Sequence, residues 1–133
     1  MVGWVGNIDD ETVHNASFRR VLFTGRQMQL TVMRLKPGEE IGVEKHADLD
    51  QFIRVEAGRA LVSMGSDRDS MDQTHDLLDD WAVVIPAGTW HNVVNAGQVD
   101  LSLYSLYAPP EHAAGSVHET KADADAAEAA HHR

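Results

Sequence analysis

The sequence predicts an all-β fold, a sandwich or a closed double-sheet roll, on three observations. Between Phe18 and Tyr107 the apolar residues come in short runs or at every second position, the period of a strand, and no stretch there carries helical spacing. Gly and Pro punctuate those runs, so many short strands are separated by tight turns. Pro109-Pro110 then ends the pattern, and the residues beyond it are rich in Ala and charge. Short strands with no intervening helix bury their apolar faces against a second sheet or by closing on themselves. The chain divides into an N-terminal arm (1–17), a β-barrel (18–108) and a C-terminal segment with a short helix (109–133).

Taken in order, residues 1–16 lack a clear period, and Asn7-Ile8-Asp9-Asp10 reads as a turn or a short helical start. Phe18 to Thr24 is strand-like, Gly25-Arg26 turns, and Gln27 to Leu35 alternates, with Met28, Leu30 and Val32 set against Gln29 and Thr31. This is a hairpin at the barrel edge. Lys36 to Glu40 turns into a strand from Ile41 to His46. Gln51 to Glu56 alternates strictly, and because Ile53 and Val55 are its apolar set, Gln51 shares their inward face. Ala57-Gly58-Arg59 turns into Ala60 to Met64. The acidic stretch Gly65 to Asp80 is the least core-like part, with one short irregular strand near Thr74 to Leu78. Trp81 to Pro86 reads as a buried apolar strand, Thr89 to Asn95 as another, and Val99 to Tyr107 as a long strand after a turn at Asn95 to Gln98. Thr120 caps a marginal Ala-rich helix that runs to His132.

Composition narrows the function classes. The 133 residues carry 11 Lys and Arg against 21 Asp and Glu, a net charge of −10, and the basic residues form no run, which argues against nucleic acid. No apolar run is long enough to span a bilayer, and the N-terminus has neither the basic start nor the apolar core of a secretory signal, so a cytoplasmic location is expected. With no cysteine, a disulfide framework, a thiolate metal site and a cysteine nucleophile are all excluded. Any metal must be held by His and oxygen ligands.

Such a set is present. Glu44 and His46, two apart in a β-rich context, project from one face, and the fold would bring Gln51 and His91 to them. A carboxylate, two imidazoles and an amide oxygen make a nitrogen and oxygen site suited to one divalent transition metal, Mn or Fe by preference, with Zn, Ni or Co as other occupants. Gln51 would act through its carbonyl oxygen or would orient a bound water. The alternative is that Glu44 and His46 are solvent-side residues and His91 is a satisfied buried histidine.

The spacing Gly38-x5-Glu44-x-His46-x4-Gln51-x6-Gly58, followed by Pro86-x-Gly88-x2-His91-x3-Asn95, resembles the two sequence motifs of the cupins. Glu44 stands where that family usually has its first His, Gln51 where it has Glu, and Asp80 where the second motif begins with Gly. The resemblance implies a single-domain jelly-roll barrel of two antiparallel sheets. The C-terminal wording Tyr107-Ala108-Pro109-Pro110-Glu111-His112 and Val117-His118-Glu119-Thr120-Lys121 is similar to small bacterial cupins of the mannose-6-phosphate isomerase-like type. For function it implies a metal-dependent isomerase or dioxygenase acting on a small sugar-derived or dicarbonyl/enediol molecule, or else a non-catalytic module that binds or senses a small ligand.

Further expectations concern the surroundings of the centre. Ile53, Val55, Val93, Leu101, Leu103 and Tyr107 are candidate pocket residues. Arg19, Arg20 and Arg54 are the cations that would meet an anionic ligand, although surface charge is the commoner role of arginine. Phe52, Trp90 and Tyr104 face away from the metal and point to a homodimer. Residues 109–121, which hold Glu111, His112, His118, Glu119 and Lys121, are expected to pack back over the barrel or the dimer partner, with the helix after them loosely held. His131 and His132 close the tail with no assigned role.

Overall fold

The computed structural model describes residues 2–131, the side chains of residues 130 and 131 excepted. Among them the strands are β1 (Arg19–Thr24), β2 (Gln29–Leu35), β3 (Glu44–Lys45), β4 (Asp50–Ala57), β5 (Ala60–Gly65), β6 (Gln73–Leu77), β7 (Ala82–Ile85), β8 (Trp90–Asn95), β9 (Leu101–Ala108) and β10 (Val117–His118). Two helices, α1 (Ile8–Val13) and α2 (Lys121–His131), flank them. One six-stranded sheet has the order β10-β1-β2-β9-β4-β7 and a four-stranded sheet has the order β3-β8-β5-β6. Every pairing is antiparallel, and β9 and β8 each sit between strands distant in sequence, the connectivity of a jelly roll. Met33, Leu35, Ile53, Val55, Leu101 and Leu103 of one sheet meet Val62 and Val93 of the other in a single apolar cluster. Fully burying each such side chain contributes about 1.5–3 kcal/mol. None of the described helices is long and apolar enough to cross a membrane.

Three strands differ from the sequence expectation. On β2 the alternation holds, but the fully buried inward side is that of Gln29 and Thr31, while Met28 is exposed and Leu30 only partly covered. The segment from Ile41 to His46 does not form a continuous strand. Gly42 takes φ +113°, its N–H is held by the Asn92 side chain at 2.9 Å, and ladder pairing is confined to β3 after an isolated bridge at Glu40. The Trp81 to Pro86 strand is not buried, because β7 is the edge of its sheet: Ile85 points into the core, whereas Trp81 is 57% exposed and Val84 63%.

The motif positions outside the ligand set are structural. Gly58 takes φ +101°, and a Cβ there would stand 2.8 Å from the Asp100 carbonyl oxygen, so no other residue fits without movement. Asp80, where the family has Gly, adopts φ +71°, and Asp is one of the few residues that tolerate this region. The turn is therefore preserved with a different residue. Asn95 is buried and donates from Nδ2 to the carbonyls of Leu35 and Val99, both at 2.9 Å.

The terminal segments lie on opposite sides of the six-stranded sheet. Asn7 caps α1 by accepting from the Asp10 N–H at 3.1 Å, and acidic residues fill the first turn, where they favour the helix dipole. Helix α1 lies against β2, β4 and β9 on the outer side, where Asp9 shares a hydrogen bond with Glu56. The C-terminal segment packs back over the barrel. Gln29, fully buried, donates to the His112 carbonyl at 2.7 Å and accepts from the backbone N–H groups of Glu111 and His112. Val21 N–H then donates to Ser116 O, β10 pairs with β1, and Phe18 N–H donates to Glu119 O. Helix α2 is held more firmly than the sequence suggests, because Ala124 is 5% exposed and joins the apolar cluster. Its end at His132 lies outside the described residues.

Candidate metal centre

Pairing of β3 with β8 sets Glu44 directly opposite His91, and His46 follows one residue beyond β3. The two halves of the motif are tied together by the backbone, since Gly88 N–H donates to the His46 carbonyl at 2.8 Å. The result is a close cluster: Glu44 Oε1 lies 3.3 Å from Nε2 of both His46 and His91, and the imidazole centroids are 5.4 Å apart. One ligand atom from each of the three residues falls within 4.8 Å of the others, the spacing a single ion needs.

The orientation of His91 also fits. Its Nδ1 lies 3.0 Å from the Thr89 carbonyl, so Nδ1–H donates there and Nε2 is the ring atom turned to Glu44. Burial alone would raise the Glu44 carboxyl, yet the two imidazoles beside it hold it well below the usual carboxylate range. Burial likewise pushes the His46 imidazole down, but Glu44, with Glu111 and Glu128 further off, overcomes that effect and raises it. Glu44, Glu111 and Glu128 thus set negative charge around His46, which favours a cation there.

Gln51 occupies the inward position predicted for it and is 2% exposed. Its amide nitrogen donates to Ser105 Oγ at 3.0 Å, while its Oε1 is buried without a hydrogen-bond partner among the described residues. Buried polar atoms are ordinarily paired, and an amide oxygen without a protein partner, on the residue that pairs with Tyr107 in the ladder, suits a cation or its water. Tyr107 pairs with Gln51 across the β4–β9 ladder, and its ring meets His46 edge-on with centroids 6.0 Å apart. Burial pushes its phenol up to about 12, so it stays a neutral donor. Burial, helped by the charge of Arg19, lowers His112 to about 3, and that ring packs on Tyr107 with centroids 5.0 Å apart.

Of the six pocket candidates, Tyr107 alone touches the centre. Ile53, Val55, Val93, Leu101 and Leu103 are 0–1% exposed members of the apolar cluster, which makes them core and not ligand surface. The spacing and alternation of the sequence do not single out Gln29 or Ser105, and they place Glu111 and His112 in a docked tail without connecting them to the centre. Glu111 Oε2 lies 3.8 Å from His46 Nδ1. Trp90, next to His91 on β8, is paired with Lys45 where His91 is paired with Glu44, and its ring is flanked by Lys45 and Arg68.

Comparison with known proteins agrees with this geometry. The pattern of the Cupin domain family, Cupin_2, matches residues 31–107. The chain is similar to the uncharacterized protein YrkC of Bacillus subtilis, 53% identical over 125 residues that cover 94% of this chain and 67% of YrkC. It is also similar to the uncharacterized protein L612 of Acanthamoeba polyphaga mimivirus, 42% identical over 86% of this chain and 70% of that protein. The crystal structure of BH2720 from Bacillus halodurans superposes with a TM-score of 0.91 at 55% identity, covering 92% of this chain and 93% of the other. Two motifs, their converging side chains and these relatives lead to one conclusion: the chain belongs to the cupin family.

Proposed function

We propose that the protein is a metal-dependent enzyme that acts on a small oxygenated molecule, sugar-derived or of the dicarbonyl/enediol kind, by isomerisation or dioxygenation. The observation that carries this reading is the convergence of Glu44, His46 and His91 within 4.8 Å. A divalent ion there, Mn or Fe by preference and Zn, Ni or Co otherwise, would polarise a ligand oxygen or bind dioxygen. Glu44, His46 and His91 would hold it, and Gln51 would complete or orient its surroundings. Tyr107, protonated at neutral pH, would donate a hydrogen bond to a ligand oxygen. The buried apolar cluster behind the centre excludes water from that side.

A second reading, a non-catalytic module that holds a metal or small ligand, is favoured by one observation. Two ionisable groups on the Tyr107 side of the ligands, Tyr107 at about 12 and His112 at about 3, both titrate far from neutral pH, where a general base is most effective, which leaves Glu111, 3.8 Å from His46 Nδ1, as the carboxylate at hand. The test has two stages. Elemental analysis after mild dialysis should find close to one transition-metal ion per chain, and protein that cannot be reloaded with Mn, Fe, Ni or Zn overturns both readings. Loaded protein is then incubated with aldose, ketose and dicarbonyl compounds and followed by NMR and oxygen uptake. Turnover supports the enzyme, and binding without turnover supports the module.

A further inference from the structure

The two ligand imidazoles are held by different means. His91 is oriented locally, where Nδ1–H donates to the Thr89 carbonyl two residues away. His46 lies one residue beyond β3, and the backbone tie from Gly88 fixes its carbonyl but not its ring. An imidazole ligand shows one nitrogen to the ion and gives the N–H of the other to an acceptor, which sets its tautomer and tilt. Nε2 is the nitrogen of His46 that converges with Nε2 of His91 on Glu44 Oε1, each at 3.3 Å. The acceptor facing the opposite nitrogen comes from the C-terminal segment: Glu111 Oε2 stands 3.8 Å from His46 Nδ1.

The barrel itself places Glu111 there. Buried Gln29 on β2 accepts from the backbone N–H groups of Glu111 at 3.1 Å and His112 at 2.9 Å, and it donates to the His112 carbonyl at 2.7 Å. The His112 ring packs edge-on against Tyr107, whose ring also meets His46. This stretch of the C-terminal segment is thus fixed through both backbone and ring, and the Glu111 side chain, 26% exposed, reaches His46 from it. At 3.8 Å the pair is in ion-pair range and longer than a hydrogen bond. With Nε2 engaged, Nδ1–H becomes a stronger donor, so the contact is expected to tighten in the loaded protein.

We propose that Glu111 is a positioning residue of the metal centre, whose carboxylate takes the Nδ1–H of His46 and thereby holds Nε2 towards the ion. The proposal rests on the metal-centre reading and adds a long-range coupling to it. Because Gln29 holds Glu111 in place, docking of the C-terminal segment and metal binding favour each other, and they do so by the same factor.

Calorimetric titration with zinc, together with nitrogen NMR of the imidazoles in the zinc-loaded protein, tests it. Glu111→Ala should weaken zinc about 10–100-fold, the range for a residue that orients a ligand. Glu111→Gln, whose amide oxygen still accepts from Nδ1–H, should recover part of that loss. In the loaded unaltered protein His46 should carry its proton on Nδ1, and zinc should slow hydrogen exchange of the Glu111 and His112 backbone amides. Glu111→Ala should remove the protected His46 N–H while the His91 N–H on Thr89 persists, a split that a merely structural role would not produce. Unchanged zinc affinity in Glu111→Ala, or His46 protonated at Nε2 in the loaded protein, overturns the proposal. Equal losses in Glu111→Ala and Glu111→Gln make Glu111 a ligand and overturn it as well. Should Glu111→Ala not fold, the His46 tautomer in the unaltered protein and a weaker zinc affinity of Glu111→Gln decide. Unaltered protein that takes up no Zn, Mn, Fe or Ni sinks the metal reading and this one together, whereas zinc bound equally well by unaltered protein and Glu111→Ala sinks this one alone.

Discussion

The two faces of the six-stranded sheet, compared one residue apart, reverse the usual rule. Across β2, β9, β4 and β7 the inward row is Gln29, Tyr107, Gln51 and Ile85, and the adjacent outward row is Leu30, Leu106, Phe52 and Val84. Polar side chains are thus fully buried at one end of the barrel, while an apolar row lies half-covered outside. The three polar members of the inward row have distinct surroundings. Gln29 ties down the C-terminal segment, Gln51 faces the centre, and Tyr107 packs between His46 and His112. In a barrel built to hold a ligand, the polar side of a strand can be its inner side.

The largest effects should come from the inward side. His91→Ala should leave metal content near background after dialysis, since it removes an imidazole ligand. Gln51→Ala should cost only about 10–100-fold in affinity, the range for a group that supports the ligands. Equal losses by elemental analysis and metal titration would make Gln51 a full ligand, and no loss in His91→Ala would remove the centre altogether.

At the start of β2, Gln29→Leu should destabilise the fold by about 2–4 kcal/mol, because it strands the His112 carbonyl and the N–H groups of Glu111 and His112. On the outward side Leu30→Ala should cost only about 1 kcal/mol, since that residue is already part-exposed. Urea denaturation of both, repeated in a chain truncated after Tyr107, sharpens the contrast. If Gln29 acts through the C-terminal segment, its substitution becomes nearly neutral once that segment is gone.

Much of this was legible in the sequence, and the failures share a cause. The Gly and Pro turns, the strict alternation of Gln51 to Glu56 and the spacing of Glu44, His46 and His91 located the barrel and the centre, because backbone geometry and ligand chemistry dictate those residues locally. Alternation states which residues share a face but not which face is inside. On β4 the apolar set, Ile53 and Val55, settled that question correctly for Gln51. On β2 the same logic favours Leu30 and Val32 over Gln29 and Thr31, but the structure turns Gln29 and Thr31 inward and buries Val32 on the other face, outside the inner apolar cluster. The partners that satisfy Gln29 lie more than 80 residues away in the C-terminal segment, a contact only the fold reveals. Arg19 stood among three candidate cations, but its burial was hidden in the same way, since a buried arginine on an edge-proximal strand has the sequence signature of a surface one.

The outward face carries the smallest expected effect on the centre and the most direct test of assembly. Phe52, Tyr104 and Trp90 do not form one patch, because Trp90 belongs to the other sheet, flanked by Lys45 and Arg68, while Phe52 and Tyr104 contact each other with centroids 6.2 Å apart. The apolar surface instead continues from Phe52 to Val84 on the edge strand β7, next to the exposed Trp81, with Arg54, Glu56 and Asp80 paired along its rim. We propose that this row forms an isologous homodimer interface, since an apolar centre with a polar rim at a sheet edge is the composition of such contacts. Light scattering at micromolar concentration should give twice the chain mass. Val84→Lys, at an exposed position, should halve that mass with metal content unchanged and little strain within the chain itself, where surface substitutions usually stay within about 0.5 kcal/mol. A monomeric mass for the unaltered protein refutes the interface. A dimer that survives Val84→Lys places it elsewhere on the surface, and the apolar outer row would then lack the role that the polar inner row has.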